Sequence, residues 1–279
     1  MTEQWQTVIS ADQKRIAIDF KELWRYRDLI GLYVNRTFKM TYQQTILGPV
    51  WIVLNPLFST IVFTVIFGNI AKLSTDSIPK FVFYMAGNTT WNLFSNYITS
   101  NSNTFGVHRG LFEKVYFPRI IMPLTHIASG FLGYLIQLAL FVVFWVYYLI
   151  QGAFTPSWVM LLLPVLWVEI ALLGTGIGLI VSSVTKRYRD LQMMVGFGVS
   201  LLMYVTPVVY PLSESGGYFR LLLQINPMGP IIETFRYAFF GIGTVNIYFL
   251  LLGLVETIGC VWLGLYLFSK TERMVMDTI

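Results

Sequence analysis

The sequence predicts an all-α integral membrane protein with six transmembrane helices, on three observations. The 279 residues are 56% hydrophobic and only 12% charged, with a mean hydropathy of +0.64, far from the composition of soluble domains. Uncharged runs recur along the chain, and a hydrocarbon core of about 30 Å takes roughly 20 apolar residues of helix. Lys and Arg are distributed unevenly between the connections. Together these features exclude a soluble globular fold.

The uncharged runs divide the chain into three parts. We expect a cytoplasmic N-terminal segment over residues 1–46, one transmembrane domain over 47–269 and a cytoplasmic tail over 270–279. One run is long enough for two helices, and the stretch QGAFTP at 151–156 supplies the break between them. The expected spans cover about residues 48–71, 81–105, 119–150, 157–184, 191–211 and 246–269.

The distribution of Lys and Arg predicts the orientation of the chain. Seven lie before Leu47, three in each of the connections 106–119 and 185–190, and two in the tail, which leaves four of the 19 elsewhere. Because cytoplasmic loops carry such an excess, we expect both termini in the cytoplasm. Before Leu47 the sequence has no apolar segment of the kind that a cleavable signal peptide requires, so we expect none. The net charge of +5 fits this bias and contact with membrane lipids, not binding to nucleic acid.

An amphipathic helix is predicted in the N-terminal segment, where apolar residues recur at steps of three and four while Lys21 and Asp28 lie off the stripe. Such a helix lies in the membrane interface, with aromatic side chains at headgroup level. It is either an interfacial anchor or a lateral gate for a lipid-attached substrate. The stripe comprises Ile16, Phe20, Leu23, Tyr26, Ile30 and Val34.

The second span is uncharged but rich in amides and hydroxyls. At about 100° per residue, Asn88, Asn92, Asn96 and Thr99 fall within an arc of roughly 120°. Lipid would penalise such a face, so it contacts protein or water. It serves either as polar glue between helices or as the lining of a hydrophilic conduit. Ser95, Ser102 and Asn103 extend the same arc.

Two glutamates and a row of glycines lie inside expected spans. Glu169 and Glu256 are near the middle of the fourth and sixth spans, where an ionisable group is costly and faces inward. Each is either protonated and hydrogen-bonded to a neighbouring helix or part of a proton relay. The glycines have no strand before them, so they predict close helix packing and not a nucleotide site. They are Gly174, Gly176 and Gly178.

The outer connection at 212–241 is too long for a simple turn. It holds two short apolar pieces on either side of NPMGP at 226–230. Neither piece can span a bilayer, so we expect a pair of re-entrant or interfacial half-helices. Glu233 and Arg236 belong to the second of them.

A short amphipathic helix is predicted in the inner connection at 106–118. Its apolar residues lie on one side, Arg109 and Glu113 can pair at i, i+4 on another, and Pro118 ends it. So short a helix needs a docking partner to be stable. It is either a cytoplasmic elbow or an element that receives motion from a separate motor subunit.

The sequence carries no catalytic or nucleotide-binding motif. GxxxxGK[ST] is absent, so any ATP is bound by another chain. His108 and His126 are the only histidines and the acidic residues are scattered, which argues against a membrane enzyme. Cys260 is single and excludes an internal disulfide. A proton-driven secondary transporter is an alternative that the two buried glutamates favour, but no internal repeat supports it.

Five stretches of the chain resemble a known family, and the resemblance covers nearly the whole sequence. The family is that of the ABC-2 type permeases of bacterial polysaccharide exporters, of the O-antigen kind and related to teichoic-acid and capsule exporters. The stretches are LWRYRDLI (23–30), YQQTILGPVWIVLNPL (42–57), VFTVIFGNIAKLSTDSIPKFVFYMAGNTTWNLFSN (62–96), SNTFGVHRGLFEKVYFPRIIMP (102–123) and INPMGPIIETFRYAFFG (225–241).

The resemblance implies a homodimer in the bacterial cytoplasmic membrane above two copies of a P-loop ATPase, which bind ATP and Mg²⁺; this chain itself would hold no cofactor. The N-terminal helix, with Trp24, Arg25 and Tyr26, would gate the access of an undecaprenyl-linked glycan, and the outer half-helices would guard its exit. Teichoic acid, capsule, lipid or drug is the alternative substrate. The inner helix would be the coupling helix, with Arg109, Leu111, Phe112, Glu113, Lys114, Val115 and Tyr116 on the ATPase.

A glycan conduit needs amide partners for hydroxyls and aromatic platforms for the apolar faces of the sugars. The polar stripe supplies the first. Aromatic residues near the outer ends of the spans supply the second, unless they belong to the interfacial belt. The expected substrate pathway comprises Asn88, Asn92, Asn96, Thr99, Phe63, Phe67, Tyr84, Trp91, Tyr204 and Tyr210.

Overall fold

The computed structural model describes residues 20–42, 48–107, 117–185 and 189–276, which form helices and turns and contain no strand. The all-helical prediction is therefore confirmed for these residues. The α-helices are α1 (Phe20–Arg25), α2 (Arg27–Tyr42), α3 (Trp51–Phe63), α4 (Lys80–Ser102), α5 (Thr104–Val107), α6 (Ile121–Ile150), α7 (Leu163–Thr185), α8 (Arg189–Tyr204), α9 (Gly217–Ile225), α10 (Met228–Phe240) and α11 (Ile247–Met276).

Four helices of the described ranges are long and apolar enough to cross a membrane. The first extends α3 by a π-helical segment, Thr64–Ile70, and the third begins with the 3₁₀ segment Trp158–Leu162 before α7. The chain turns between the second and the third of these helices after Ile150, where the stretch QGAFTP begins. The four helices are Trp51–Ile70, Ile121–Ile150, Trp158–Thr185 and Ile247–Glu272.

Helix α4 lies at the centre of the bundle and packs against α3, α6, α7, α8 and α10. Its 23 residues make it about 35 Å long, but its amides and hydroxyls set it apart from the four apolar helices. Most of its residues are buried. Because protein surrounds α4 on several sides, its polar composition does not have to be solvated by lipid.

The three glycines of α7 pack alternately against two helices. A Cβ at Gly174 would lie 2.8 Å from the Tyr97 Cβ of α4, and one at Gly178 would lie 2.6 Å from the Asn101 Cβ. Gly176 faces α11 instead, where a Cβ would lie 2.8 Å from the Val261 nitrogen. The predicted close helix packing is confirmed, and it joins α4, α7 and α11 into one unit.

Replacing Gly176 with leucine should force α11 away from α7, because the new side chain meets backbone atoms that cannot move alone. Overpacking of this kind costs about 1–3 kcal/mol or more, so we expect a lower melting temperature of the purified protein. Gly259→Leu is the matched control, since a Cβ at this position of α11 meets no atom within 4 Å. Equal melting temperatures for the two variants would contradict the packing argument.

The N-terminal helix predicted as one stretch is divided in the structure. Helix α1 ends at Arg25, Tyr26 forms a turn, and α2 begins at Arg27. The Tyr26 N–H donates to the Leu23 carbonyl at 3.1 Å, a local bond that interrupts the α-helical pattern. Leu23, Tyr26 and Ile30 of the apolar stripe, together with neighbouring residues, pack against the start of α6 and the residues just before it. The contacting residues are Leu23, Tyr26, Leu29, Ile30 and Tyr33 on one side and Phe117, Ile121 and Met122 on the other.

Candidate functional site

A polar groove of about 980 Å³ lies between α3, α4 and α6, with Thr37 of α2 at its edge. The first half of α3, the second half of α4 and the first half of α6 form its walls. Most of the side chains in these walls carry an amide or a hydroxyl. They include Asn55, Ser59, Asn92, Ser95, Asn96, Thr99, Ser100, Asn103, Ser129 and Gln137.

The wall formed by α4 is the polar stripe of the sequence. Asn92, Asn96 and Thr99 all line the groove, because steps of three and four residues return to one face of a helix. Asn88 does not line it. Its amide is buried and donates to the Thr60 hydroxyl of α3 at 3.4 Å. At this position α3 and α4 contact each other directly and leave no groove between them.

The other two walls were not found from the sequence. On α3, Trp51, Asn55 and Ser59 recur at steps of four, and on α6 the groove is lined by His126, Ser129, Gly130, Gly133, Tyr134 and Gln137. Polar and small residues at helical spacing in an apolar span are the signal that could have identified the α6 wall. The Gln137 Oε1 atom is buried and has no hydrogen-bond partner among the described residues.

A hydrogen-bond network fixes the position of His126 on the α6 wall. The His126 Nδ1 atom lies 3.2 Å from the Asn101 Oδ1 atom of α4. The Asn101 amide nitrogen donates to the Tyr97 carbonyl at 2.8 Å and to the Thr175 hydroxyl at 3.4 Å. With its nitrogen engaged as a donor, Asn101 accepts through Oδ1, so the His126 Nδ1 carries the proton. The network joins α4, α6 and α7 beside the groove.

Three aromatic side chains cluster beyond the Asn88–Thr60 contact, further along α3 and α4 than the groove. The Phe63 ring lies 5.3 Å from that of Phe67 and 6.5 Å from that of Tyr84, between centroids. The Tyr84 ring is fully buried, and its hydroxyl has no partner within the described ranges. Three of the aromatic residues expected on the substrate pathway therefore lie together, but they do not line the groove.

The other aromatic residues of the expected pathway lie apart from the groove. Trp91 is buried against Phe94 with ring centroids 5.3 Å apart. Tyr204 is 51% exposed at the end of α8, and the Tyr210 hydroxyl donates to the Tyr204 carbonyl at 3.0 Å. The structure leaves their predicted roles untested.

The expected gate and coupling residues are described only in part. Trp24 is 69% exposed, and the Arg27 guanidinium lies 5.4 Å from its ring centroid. Arg25 is also exposed, whereas Tyr26 packs against the start of α6. The predicted coupling residues lie outside the described residues; they are Arg109, Leu111, Phe112, Glu113, Lys114, Val115 and Tyr116.

A second polar cluster, which we call the clamp, consists of Glu233 and Arg236 of α10. The Arg236 guanidinium donates from Nη1 to the Pro207 carbonyl and from Nη2 to the Val208 carbonyl, both at 2.7 Å. The Glu233 Oε1 atom accepts from the Leu212 N–H and from Arg236, each at 3.3 Å. The clamp thus provides partners for three backbone groups of the irregular segment 205–212, which follows α8: two carbonyls and one N–H.

The surroundings of the clamp explain how a charged side chain can be buried there. Arg236 is 2% exposed and its guanidinium lies 3.7 Å from the Phe83 ring centroid, a cation–π contact. Gly87 leaves room for this arrangement, because a Cβ there would lie 2.8 Å from the Val208 carbonyl oxygen. The Asn226 amide adds a further contact to the same segment, donating to the Thr206 hydroxyl at 3.0 Å.

The clamp lies outside the four apolar spans, and its two groups form an ion pair. Burial lowers the pKa of Arg236 to about 10, which leaves the guanidinium protonated at neutral pH. Burial also raises the pKa of Glu233, and the attraction of Arg236 opposes this rise. Each charge therefore depends on the other to remain stable in the protein interior.

Comparison with known proteins gives consistent matches. The family model described as ABC-2 type transporter matches residues 28–240. The O-antigen export system permease protein RfbA of Klebsiella pneumoniae is 28% identical over 252 residues, 88% of this chain and 92% of that protein. RfbA of Myxococcus xanthus is 28% identical, covering 79% and 83%. The polysialic acid transport protein KpsM of Escherichia coli is 25% identical, covering 69% and 73%.

Proposed function

Because the chain belongs to the ABC-2 type transporter family, we propose that it is the membrane subunit of an ATP-driven exporter of an undecaprenyl-linked polysaccharide. The names of its relatives, O-antigen export permease and polysialic acid transport protein, support a polysaccharide substrate. The structural observation that carries the proposal is the amide-lined groove between α3, α4 and α6. The chain is a multi-pass membrane transport subunit, and a partner ATPase would supply the ATP hydrolysis.

The chemistry of the groove fits a hydroxyl-rich chain. Carboxamides both donate and accept hydrogen bonds, and so do sugar hydroxyls. The Gln137 Oε1 atom needs a donor, which a sugar hydroxyl would supply. Trp51 and Tyr134, also in the lining, offer apolar faces to the C–H surfaces of a sugar ring. Many weak partners let a polymer bind and still move on, as multiple weak sites let ions pass a channel.

The proposed topology has six spans in one transmembrane domain over 47–269, with both termini in the cytoplasm. Helix α4 would be the second span and α8, with the segment after it, the fifth. In this orientation the groove opens toward the cytoplasm near Trp51 and Val107, and the Asn88–Thr60 contact closes it toward the outside. Helices α9 and α10, separated at Asn226 and Pro227, would be the outer half-helices.

We propose that two copies of the chain assemble with two copies of the ATPase. Helix α8 supports such a dimer, because several large apolar side chains on it are exposed and need either lipid or a second subunit against them. The inner connection 106–118 would dock on the ATPase, while α1 and α2 would gate the access of the lipid-linked glycan. The exposed side chains of α8 include Met193, Met194, Phe197 and Leu201.

The experiment that tests this function is quantitative mass spectrometry of the tagged chain, purified from its native membranes in mild detergent. We expect a P-loop ATPase in equimolar amount, and accumulation of an undecaprenyl-linked glycan in the membrane when the chain is depleted. Recovery of no ATPase, under conditions that keep a known ABC exporter intact, would contradict the proposed function.

Changing Phe112 and Glu113 to alanine together should uncouple the exporter. Both residues lie in the proposed docking helix, so the complex should still hydrolyse ATP while the amount of glycan at the cell surface falls. The measurement compares surface glycan with the ATPase activity of the purified complex, and size-exclusion chromatography checks that the oligomer persists. Normal export by the double variant would show that the 106–118 connection is only a cytoplasmic elbow and does not couple ATP hydrolysis to transport.

A further inference from the structure

Both ends of the inner connection 106–118 are held by the same end of α11. Just before the connection, the Phe105 ring stacks on the Phe268 ring, with centroids 4.6 Å apart and planes 24° from parallel. Just after it, the Arg119 Nη1 atom donates to the Glu272 carbonyl at 3.2 Å, and its Nε atom lies 3.8 Å from the Glu272 Oε1 atom. We call these four residues the brace.

Three of the four brace residues are buried and the Glu272 side chain is 24% exposed, so the ion pair differs from one on the surface. Arg119 is 6% exposed, and the Phe105 and Phe268 rings are buried together with Leu179 of α7. Exposed ion pairs contribute little to stability, but a buried guanidinium depends on its partner charge. Phe268 and Glu272 are four residues apart, so one face of α11 receives both ends of the connection.

We propose that the brace transmits movement of the inner connection to α11, which makes Arg119 and Glu272 positioning residues for transport. The inference rests on the proposed function, in which the connection docks on the ATPase. With one contact before the connection and one after it, the two ends of the connection cannot shift relative to α11 unless the rings separate or the ion pair breaks.

The packing of α11 shows where such a movement would go. Along its length α11 packs against α7, where a Cβ at Gly264 would lie 2.6 Å from the Gly176 carbonyl oxygen. It also contacts α10, which carries the clamp, and near its start a Cβ at Gly253 would lie 3.4 Å from Pro227, the residue before α10. A displacement at Glu272 therefore has a contiguous, close-packed route to the clamp on the opposite side of the protein, and two-state motion along such a route couples distant sites.

The test uses the purified complex in proteoliposomes and measures the glycan transported per ATP hydrolysed. Glu272→Gln keeps the shape of the side chain and the backbone carbonyl that accepts from Arg119, but it removes the negative charge that pairs with Arg119. We expect this ratio to fall about tenfold, within the usual range of coupling effects. The reversed pair, Arg119→Glu with Glu272→Arg, recovers the pairing of charges but not the hydrogen bond to the residue-272 carbonyl, so it should restore the ratio in part. Lys270→Gln is the matched control, because it removes an exposed charge near the same end of α11.

An unchanged ratio in Glu272→Gln would overturn the inference. So would a parallel loss of transport and hydrolysis that follows the amount of intact complex and is not restored by the reversed pair, since that is what a merely structural contact produces. A wild-type preparation without an ATPase would instead refute the proposed function, and the brace with it. The two failures are thus distinguishable from the composition of the wild-type sample alone.

A cross-link gives an independent measurement that does not depend on removing a charge. With Cys260→Ser as background, Phe105→Cys and Phe268→Cys allow a short bifunctional thiol reagent to join the two positions. If the brace moves as one body, the cross-linked complex should transport as much glycan per ATP as the same variant before cross-linking. Transport that stops on cross-linking would show that the two ends move apart during the cycle and would overturn the inference.

Discussion

Arg236→Ala should destabilise the protein by about 3–5 kcal/mol, as expected when one partner of a buried ion pair is removed. The variant would leave the Pro207 and Val208 carbonyls without their donors and Glu233 as an unpaired buried charge. Each unsatisfied buried group costs about 1–3 kcal/mol. The measurements are the melting temperature of the purified protein and its level in the membrane.

Two variants separate the loss of the clamp from the loss of a positive charge. Arg220→Ala removes an exposed arginine on α9 and should leave the melting temperature unchanged. Arg236→Lys keeps the charge but cannot reproduce the planar fork that reaches both carbonyls at once, so it should remain markedly destabilised. If Arg236→Ala melted like Arg220→Ala, the clamp would not hold the 205–212 segment.

Asn92→Leu combined with Asn96→Leu should reduce export about a hundredfold, if each amide contributes about 1.4 kcal/mol to the movement of the glycan, a factor of ten each. Both side chains line the groove. Leucine has a similar size but offers no partner to a hydroxyl, so the groove would become apolar at two consecutive turns of α4. The measurement is surface glycan, normalised to the level of the chain in the membrane.

The matched variant for this prediction changes the same two positions to glutamine. Asn92→Gln with Asn96→Gln keeps both amides and lengthens each side chain by one methylene, so export should remain well above that of the leucine pair. Equal amounts of surface glycan in the wild type and the leucine pair would indicate that the stripe only forms polar contacts between helices. Loss of the leucine pair from the membrane would favour the same structural role.

The sequence anticipated the chemistry of the groove from only one of its walls. The α4 wall was recognisable because Asn92, Asn96 and Thr99 recur on one helix face. Residues on one face of a helix are only three or four positions apart, so their spacing in the sequence shows that they lie together. The walls formed by α3 and α6 contribute residues such as Asn55 and Gln137. These are isolated polar residues in largely apolar helices, and nothing in the sequence shows that they face the same groove. Their meeting depends on helix packing, which hydrophobic periodicity does not report.

Composition and periodicity by themselves determined that the chain is a helical membrane protein, that its glycines join helices closely and that short helices interrupt the connection before the last span. These properties follow from the free energy of placing each residue in lipid and from local backbone preferences. The clamp and the brace were decided only by the tertiary structure. Arg119 and Glu272 are 153 residues apart, and the charges became partners because the packing of α4, α7 and α11 brought them together.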